Sequence, residues 1–248
     1  MKFNSVMILI IVMAVVLSSH LIAEQPKENI TIVFPLSRGS YWIYKGTAKW
    51  TKPTSISTGE NKVMEKTLIW KMEVIETINR EHLTTAVLKG HPVDLVCYEE
   101  GKSRGDYLII RVGPGKFYLL SDERGEKALK RLRDKKDLLG GLLDRGCEPF
   151  LDLPLTPGKV FGETDWITRQ DRRYCWVVEG EHQIQLKHTK GISPSRKMRQ
   201  HRLTYQTLPD HTVIDFVPGV GITRYTYVHH GTIMETDLRL VEYYAGGR

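Results

Sequence analysis

The residues with the widest chemical reach lie near the C-terminus. His229 and His230 are adjacent. Neighbouring side chains of a regular strand point to opposite faces, so this pair cannot chelate one ion together. His211, His230 and Glu235 form a better set, because the hairpin register argued below puts them on one face. Two imidazoles and a carboxylate are donors that zinc accepts, and such a site would suit a metal-dependent hydrolase. The competing expectation is ordinary polar residues on a solvated sheet face, which is the commoner outcome. The three remain candidates only.

Cys97, Cys147 and Cys175 are three in number, so one disulfide would leave a thiol over. None of their spacings is CxxC or that of a metal site. Cys97 in Val-Cys-Tyr and Cys175 in Tyr-Cys-Trp sit in strand-like apolar settings. A reactive thiolate needs an electropositive one. No G-x-S-x-G, H-E-x-x-H, P-loop or dinucleotide fingerprint occurs. The expectation is a protein that is not an enzyme, with no catalytic residue and no cofactor.

Residues 182–209 contain no acid and carry Lys187, Lys190, Arg196, Lys197, Arg199 and Arg202. Gly191 to Ser195 make the centre of this stretch a loop. It could dock on an anionic surface, lipid or acidic protein, with nucleic acid not expected. The alternative is a solvated hairpin loop. The formal charge of +7 favours acidic partners in general and says nothing about fold.

The elements that must position these residues are mostly strands. Aromatic and β-branched alternation predicts strands at 41–50, 68–78, 82–88, 93–98, 107–112 and 116–120. A second set follows at 173–179, 183–188, 200–207, 213–217, 222–230 and 235–244. In 68–78, Trp70, Met72 and Val74 fall on one face and Ile69, Lys71, Glu73 and Ile75 on the other. One surface helix near 122–143 interrupts the strands, with Ser121 as its cap and Ala128, Leu129, Leu132, Leu139, Leu142 and Leu143 as its apolar stripe. The fold class is mainly β: a curved antiparallel sheet, open barrel or sandwich of about twelve strands.

Phe34-Pro35-Leu36-Ser37-Arg38-Gly39-Ser40-Tyr41-Trp42 echoes Leu153-Pro154-Leu155-Thr156-Pro157-Gly158-Lys159-Val160-Phe161. Each opens a β region. Either two sheet halves, 31–121 and 153–248, share a duplicated beginning, or a common turn recurs by chance.

The tail allows a register to be written. Pro218-Gly219-Val220-Gly221 is a turn, and pairing Val217 with Ile222 sets Asp215 opposite Arg224 and Ile214 opposite Tyr225. Ile214, Phe216, Tyr225 and Tyr227 then form a core face, joined by Thr236, Leu238 and Leu240. His211, Asp215, Arg224, His230 and Glu235 take the other face.

The N-terminus has its own pattern. Lys2 precedes an apolar run over 6–17, and Ala23 precedes a polar stretch. This is the layout of a secretory signal peptide, shorter than the ~20 apolar residues of a membrane span. The expected organisation is a signal peptide at 1–23 and one β-rich domain at 24–248. That implies a periplasmic or secreted protein, or one anchored to the membrane by the uncleaved segment.

Phe34-Pro35-Leu36-x-x-Gly39-x-x-Trp42-x-Tyr44 resembles the start of many uncharacterised exported bacterial proteins just after the signal peptide. Phe216-Val217-Pro218-Gly219-Val220-Gly221-Ile222, with Tyr225 and Tyr227, resembles the hairpin near their C-terminus. Ser40 stands where that pattern has Asn. The resemblance implies export and a curved sheet, and it carries no chemistry. The leading expectation is an exported, non-catalytic β module that binds an envelope partner or an apolar ligand. The alternative is the hydrolase built on His211, His230 and Glu235.

Overall fold

The computed structural model describes residues 33–53, 61–80, 82–134, 139–143 and 147–247. The expected signal peptide and its cleavage point lie outside them. Among the described residues twelve strands form one antiparallel sheet that curls into a nearly closed barrel, with a few short helices. The first six are β1 (Tyr41–Pro53), β2 (Asn61–Arg80), β3 (Leu83–Lys89), β4 (Asp106–Val112), β5 (Lys116–Leu120) and β6 (Pro149–Asp152). The second six are β7 (Val160–Phe161), β8 (Trp176–Ile184), β9 (Met198–Gln206), β10 (Asp210–Val217), β11 (Gly221–His229) and β12 (Met234–Tyr244). Each set is a meander, and β1 joins them by pairing with β12.

The inner face is the core. Trp70, Met72 and Val74 of β2 are buried while Ile69 is 75% exposed, so the alternation in the sequence marks inside and outside correctly. Tyr225, Tyr227, Leu238 and Leu240 are buried beside them. The outer face of β3 to β5 is also buried, because α1 (Asp122–Arg133) lies on it through Ala128 and Leu132. This double burial explains the unbroken run Leu108-Ile109-Ile110 in β4, whose three side chains are all buried.

The expected single helix over 122–143 is instead α1 and a separate turn, α2 (Gly140–Leu143). The first ends at Arg133, and Leu139, with φ of 58° in the left-handed region, stands just before the second. Ser121 stands at the cap position, but its hydroxyl meets the Asp122 carboxylate and makes no side-chain cap bond.

Two expected strands are absent. Residues 93–98 form a 3-10 turn (Pro92–Leu95) and a bend that fold into the barrel as a plug. The Leu95 carbonyl accepts from Thr236 Oγ1 at 2.8 Å, and the Tyr98 ring meets Trp50 edge-on at 5.1 Å. Their apolar side chains fill the core from inside the barrel, not from its wall. Residues 183–188 are not a separate strand, since β8 runs on through Ile184 and ends there. β6 and β7, which strand periodicity did not mark, are too short to show an alternation.

The echo in the sequence is one geometry used twice. Ser40 N donates to Ser37 O and Lys159 N to Thr156 O, both at 3.0 Å. Gly39 and Gly158 hold φ of 84° and 85° at the same point of these two turns. Gly39 N then donates to Val74 O, and Gly158 N to Val178 O. Trp42 pairs with Met72 as Phe161 pairs with Trp176. A bulge follows both times, between Val74 and Glu76 and between Val178 and Gly180. Each meander begins with the same turn, register and bulge. By this correspondence the counterpart of the β1–β12 ladder is a β6–β7 ladder, and there the strands do not pair. Lys159 crosses that gap, its Nζ donating to Asp152 O at 2.5 Å.

The C-terminal hairpin has Asp215 opposite Arg224 and Ile214 opposite Tyr225, as expected. Nearer the turn the register differs: Val217 pairs with Gly221 and Phe216 with Ile222. A bulge at Thr223 absorbs the offset, and its hydroxyl donates to Asp215 O.

Candidate functional site

The histidine set does not converge. His211 and Glu235 both lie beside Val228, on opposite sides of it, so a whole strand separates them. Two ladder spacings put their backbones about 10 Å apart. Glu235 instead lies 3.8 Å from Lys49 Nζ, while the His211 and His230 rings stack at 6.4 Å. His229 accepts the Gly231 and Thr232 amides at Nδ1 and so braces the turn. Among the described residues no group of three His, Cys, Asp or Glu side chains is arranged to hold a metal ion.

Cys97, Cys147 and Cys175 are all free thiols. Burial pushes the Cys147 and Cys175 thiols up, away from thiolate. The basic stretch is partly neutralised within the fold. Arg202 holds Asp215 through two bonds, at 2.9 and 3.2 Å, Lys190 meets Glu242, and Arg199 meets Glu181.

The chemistry gathers on the inner face of the sheet, in a cavity of about 240 Å³ that is open to solvent. One wall is the plug, with His91, Val93 and Val96. Facing it are Trp176, Tyr205, Ile214, Tyr225 and Tyr227 from β8 to β11. Glu148 and Phe150 close it at β6, and Asp210 at the start of β10. A larger cleft of about 480 Å³ lies by the β6–β7 gap, but it is polar and follows from the missing ladder.

Each polar group of the cavity has a local cause. Gly90, with φ of 80°, turns the chain after β3 and sends His91 inward. Its carbonyl accepts from Trp70 Nε1 at 2.9 Å. His91 is 1% exposed, and burial lowers its pKa to about 3, so the ring is neutral. Its Nδ1 accepts the Val93 amide at 3.2 Å, which leaves the proton on Nε2. That Nε2 is buried and has no hydrogen-bond partner. Glu148 has its pKa raised to about 7, first by burial and then by nearby Glu163, with a Tyr205 hydrogen bond opposing. Asp210 is already engaged, accepting from Tyr227 Oη at 2.6 Å and from Thr207 Oγ1 at 3.2 Å.

Sequence reasoning placed Ile214, Tyr225 and Tyr227 on the core face and missed the rest. His91 had one available signal: Gly90-His91-Pro92 interrupts strand periodicity with a titratable residue held between two residues of restricted use. Glu148 had none beyond its place before Pro149.

The fold and site together define a nearly closed antiparallel barrel with an internal plug and an aromatic cavity that carries two acids and one neutral histidine. No protein-family description matches the sequence, and no curated protein matches it. Two solved structures are similar to this chain in part. One is a protein proposed to be exported, with a YmcC-like fold, from Bacteroides fragilis. It is 10% identical with a TM-score of 0.39, over 86% of this chain and 99% of that one. The other is a protein proposed to be a lipoprotein, from Parabacteroides distasonis. It is 12% identical with a TM-score of 0.36, over the same shares, 86% and 99%.

Proposed function

We propose that this protein is an exported binding module that holds a small, mainly apolar ligand on the inner face of its sheet. The observation that carries this is the cavity itself, which combines aromatic walls with a few inward polar groups. Its volume is below the ~300–1,000 Å³ of drug-sized sites, which suits a small ligand or the end of a longer one. The apolar run after Lys2 supports export.

Native mass spectrometry of the protein isolated from its host tests both parts. The expected spectrum shows a chain starting near Glu24 with a bound small molecule. In a Val96→Trp variant the new indole occupies the cavity and the adduct should vanish. A wild-type chain with no adduct would count against ligand binding, and a chain starting at Met1 against cleavage.

A further inference from the structure

Strand register puts acids and aromatic rings on one wall of the cavity. Asp210, Thr212 and Ile214 alternate along β10, so they share the inner face, where Ile214 is buried. Tyr205 of β9 pairs with Thr212, and Leu203 with Ile214, so Tyr205 faces the same way. Trp176 of β8 pairs with Tyr205, and Tyr227 of β11 with Thr212. The Asp210 carboxylate meets the inward Tyr227 hydroxyl at 2.6 Å, and Glu148 meets Tyr205. Asp210, Glu148 and Tyr205 are each partly exposed, so a ligand in the open cavity can reach them.

The charge of this wall has one sign. The chain carries 36 Lys and Arg against 29 Asp and Glu, yet none of the described residues lining the cavity is Lys or Arg. His91 in the lining is neutral and adds no positive charge. Both carboxylates are held by neutral donors, Asp210 by the Tyr227 and Thr207 hydroxyls and Glu148 by that of Tyr205. Burial comes first in raising the phenols of Tyr205, Tyr225 and Tyr227, and the carboxylates that add to it are those of Glu148, Glu163, Asp94 and Asp210. An ionised carboxylate has lone pairs left for a further donor. Aromatic rings attract cations as well, and more strongly where water is excluded. An anionic head would meet acids without a counter-charge, and a neutral head would leave the carboxylates uncompensated.

We infer that the cavity takes a small organic cation, its ammonium head drawn to the Asp210 and Glu148 carboxylates and its apolar part against the partly exposed Val93, Val96 and Leu119. This rests on the cavity being a ligand site, and it adds the charge of the ligand. Asp210 and Glu148 are then the residues that select for it.

The test uses the mature protein and three probes of one chain length, octylammonium, octanol and octanoate, at pH 8, where Glu148 with its pKa of about 7 is mainly ionised. Binding is followed by titration calorimetry and by ligand-observed NMR. Octylammonium should bind about tenfold tighter than octanol, the size of one charge-assisted hydrogen bond, and octanoate should bind most weakly. The formal charge of +7 would favour octanoate at the protein surface, so that order cannot come from non-specific attraction. Asp210→Asn, which keeps an oxygen for Tyr227 and Thr207, should lose about tenfold for octylammonium and leave octanol unchanged. Glu148→Gln should act in the same way. A variant that weakens octylammonium and octanol alike would show that the acid only shapes the cavity, and would overturn its assignment. The wild-type order decides the matter if the variants fail to fold. Octanol or octanoate binding as tightly as octylammonium would overturn the cation and leave the cavity as a ligand site. Failure of all three probes to bind would overturn the ligand site as well.

Discussion

His91 and Glu148 line the same cavity and are shifted in opposite directions. Burial lowers His91 from 6.5 to about 3 and raises Glu148 from 4.5 to about 7. The Glu148 contribution to stability is complete below pH 4.5 and is lost as pH rises through about 7. The His91 contribution is complete above pH 6.5 and is lost as pH falls towards 3. Between 4.5 and 6.5 the two slopes oppose, each at most about 1.4 kcal/mol per pH unit. Removing one should expose the other. From pH 4.5 to 6.5, Glu148→Gln should gain stability relative to wild type by about 2 kcal/mol, and His91→Phe should lose a similar amount. Urea melts at a series of pH values check this. Variant-minus-wild-type differences that stay flat across the window would show that neither group is buried as described.

The hairpin of β10 and β11 is where one turn sets the placement of many side chains. Gly219 and Gly221 have φ of 83° and 103°, conformations that side chains rarely adopt. A Cβ on Gly221 would also lie 2.7 Å from Phe34 Cε2. Trp42 Nε1 donates to Val220 O at 2.6 Å, and Gly219 N donates to Val33 O. The N-terminal lead-in and the C-terminal turn are thus one packed unit. Gly221→Val should destabilise the domain by roughly 1–3 kcal/mol or more, since strain and collision add. Gly219→Val should cost about 1–3 kcal/mol from strain alone. His230→Ala should change stability by less than about 0.5 kcal/mol, as a surface substitution does. Denaturant melts rank the three, and a His230→Ala loss larger than that of Gly221→Val would invalidate this division of scaffold from surface.

Around the barrel, stability should be uneven. β1 holds β12 over ten residue pairs, from Tyr41 with Tyr244 to Trp50 with Met234. The corresponding place between β6 and β7 has no ladder, and Lys159 reaching Asp152 is what spans it. Local opening is easiest where few backbone bonds must break. Hydrogen exchange should therefore find the amides of β7 opening at much lower free energy than those of Trp42 and Tyr44. Lys159→Met should speed exchange at β7 and leave β1 unchanged. Equal protection of both places would mean that the barrel opens only as a whole.

Much of the wall was legible because strand periodicity is local. Trp70, Met72 and Val74 point inward because alternate residues share a face, and no partner strand is needed to see it. Asp215 and Arg224 were placed correctly because a short turn ties register to sequence distance. The bulge at Thr223 escaped, since it answers to the neighbouring strand and to Gln200 behind it. The twelve strands expected and the twelve found agree in number through compensation, with 93–98 and 183–188 replaced by β6 and β7. Segment 93–98 carries strand-like residues, but apolar spacing does not say whether a segment joins a wall or fills it. The kinship of the two end motifs was visible as a pattern, and its cause was not. Trp42 and Val220 are 178 positions apart, and only the closing of β1 on β12 brings them together. The same holds for the cavity. His91, Glu148 and the Tyr205–Asp210 hairpin come from three separate parts of the chain, and their chemistry arises from burial beside one another, which no single stretch of sequence encodes.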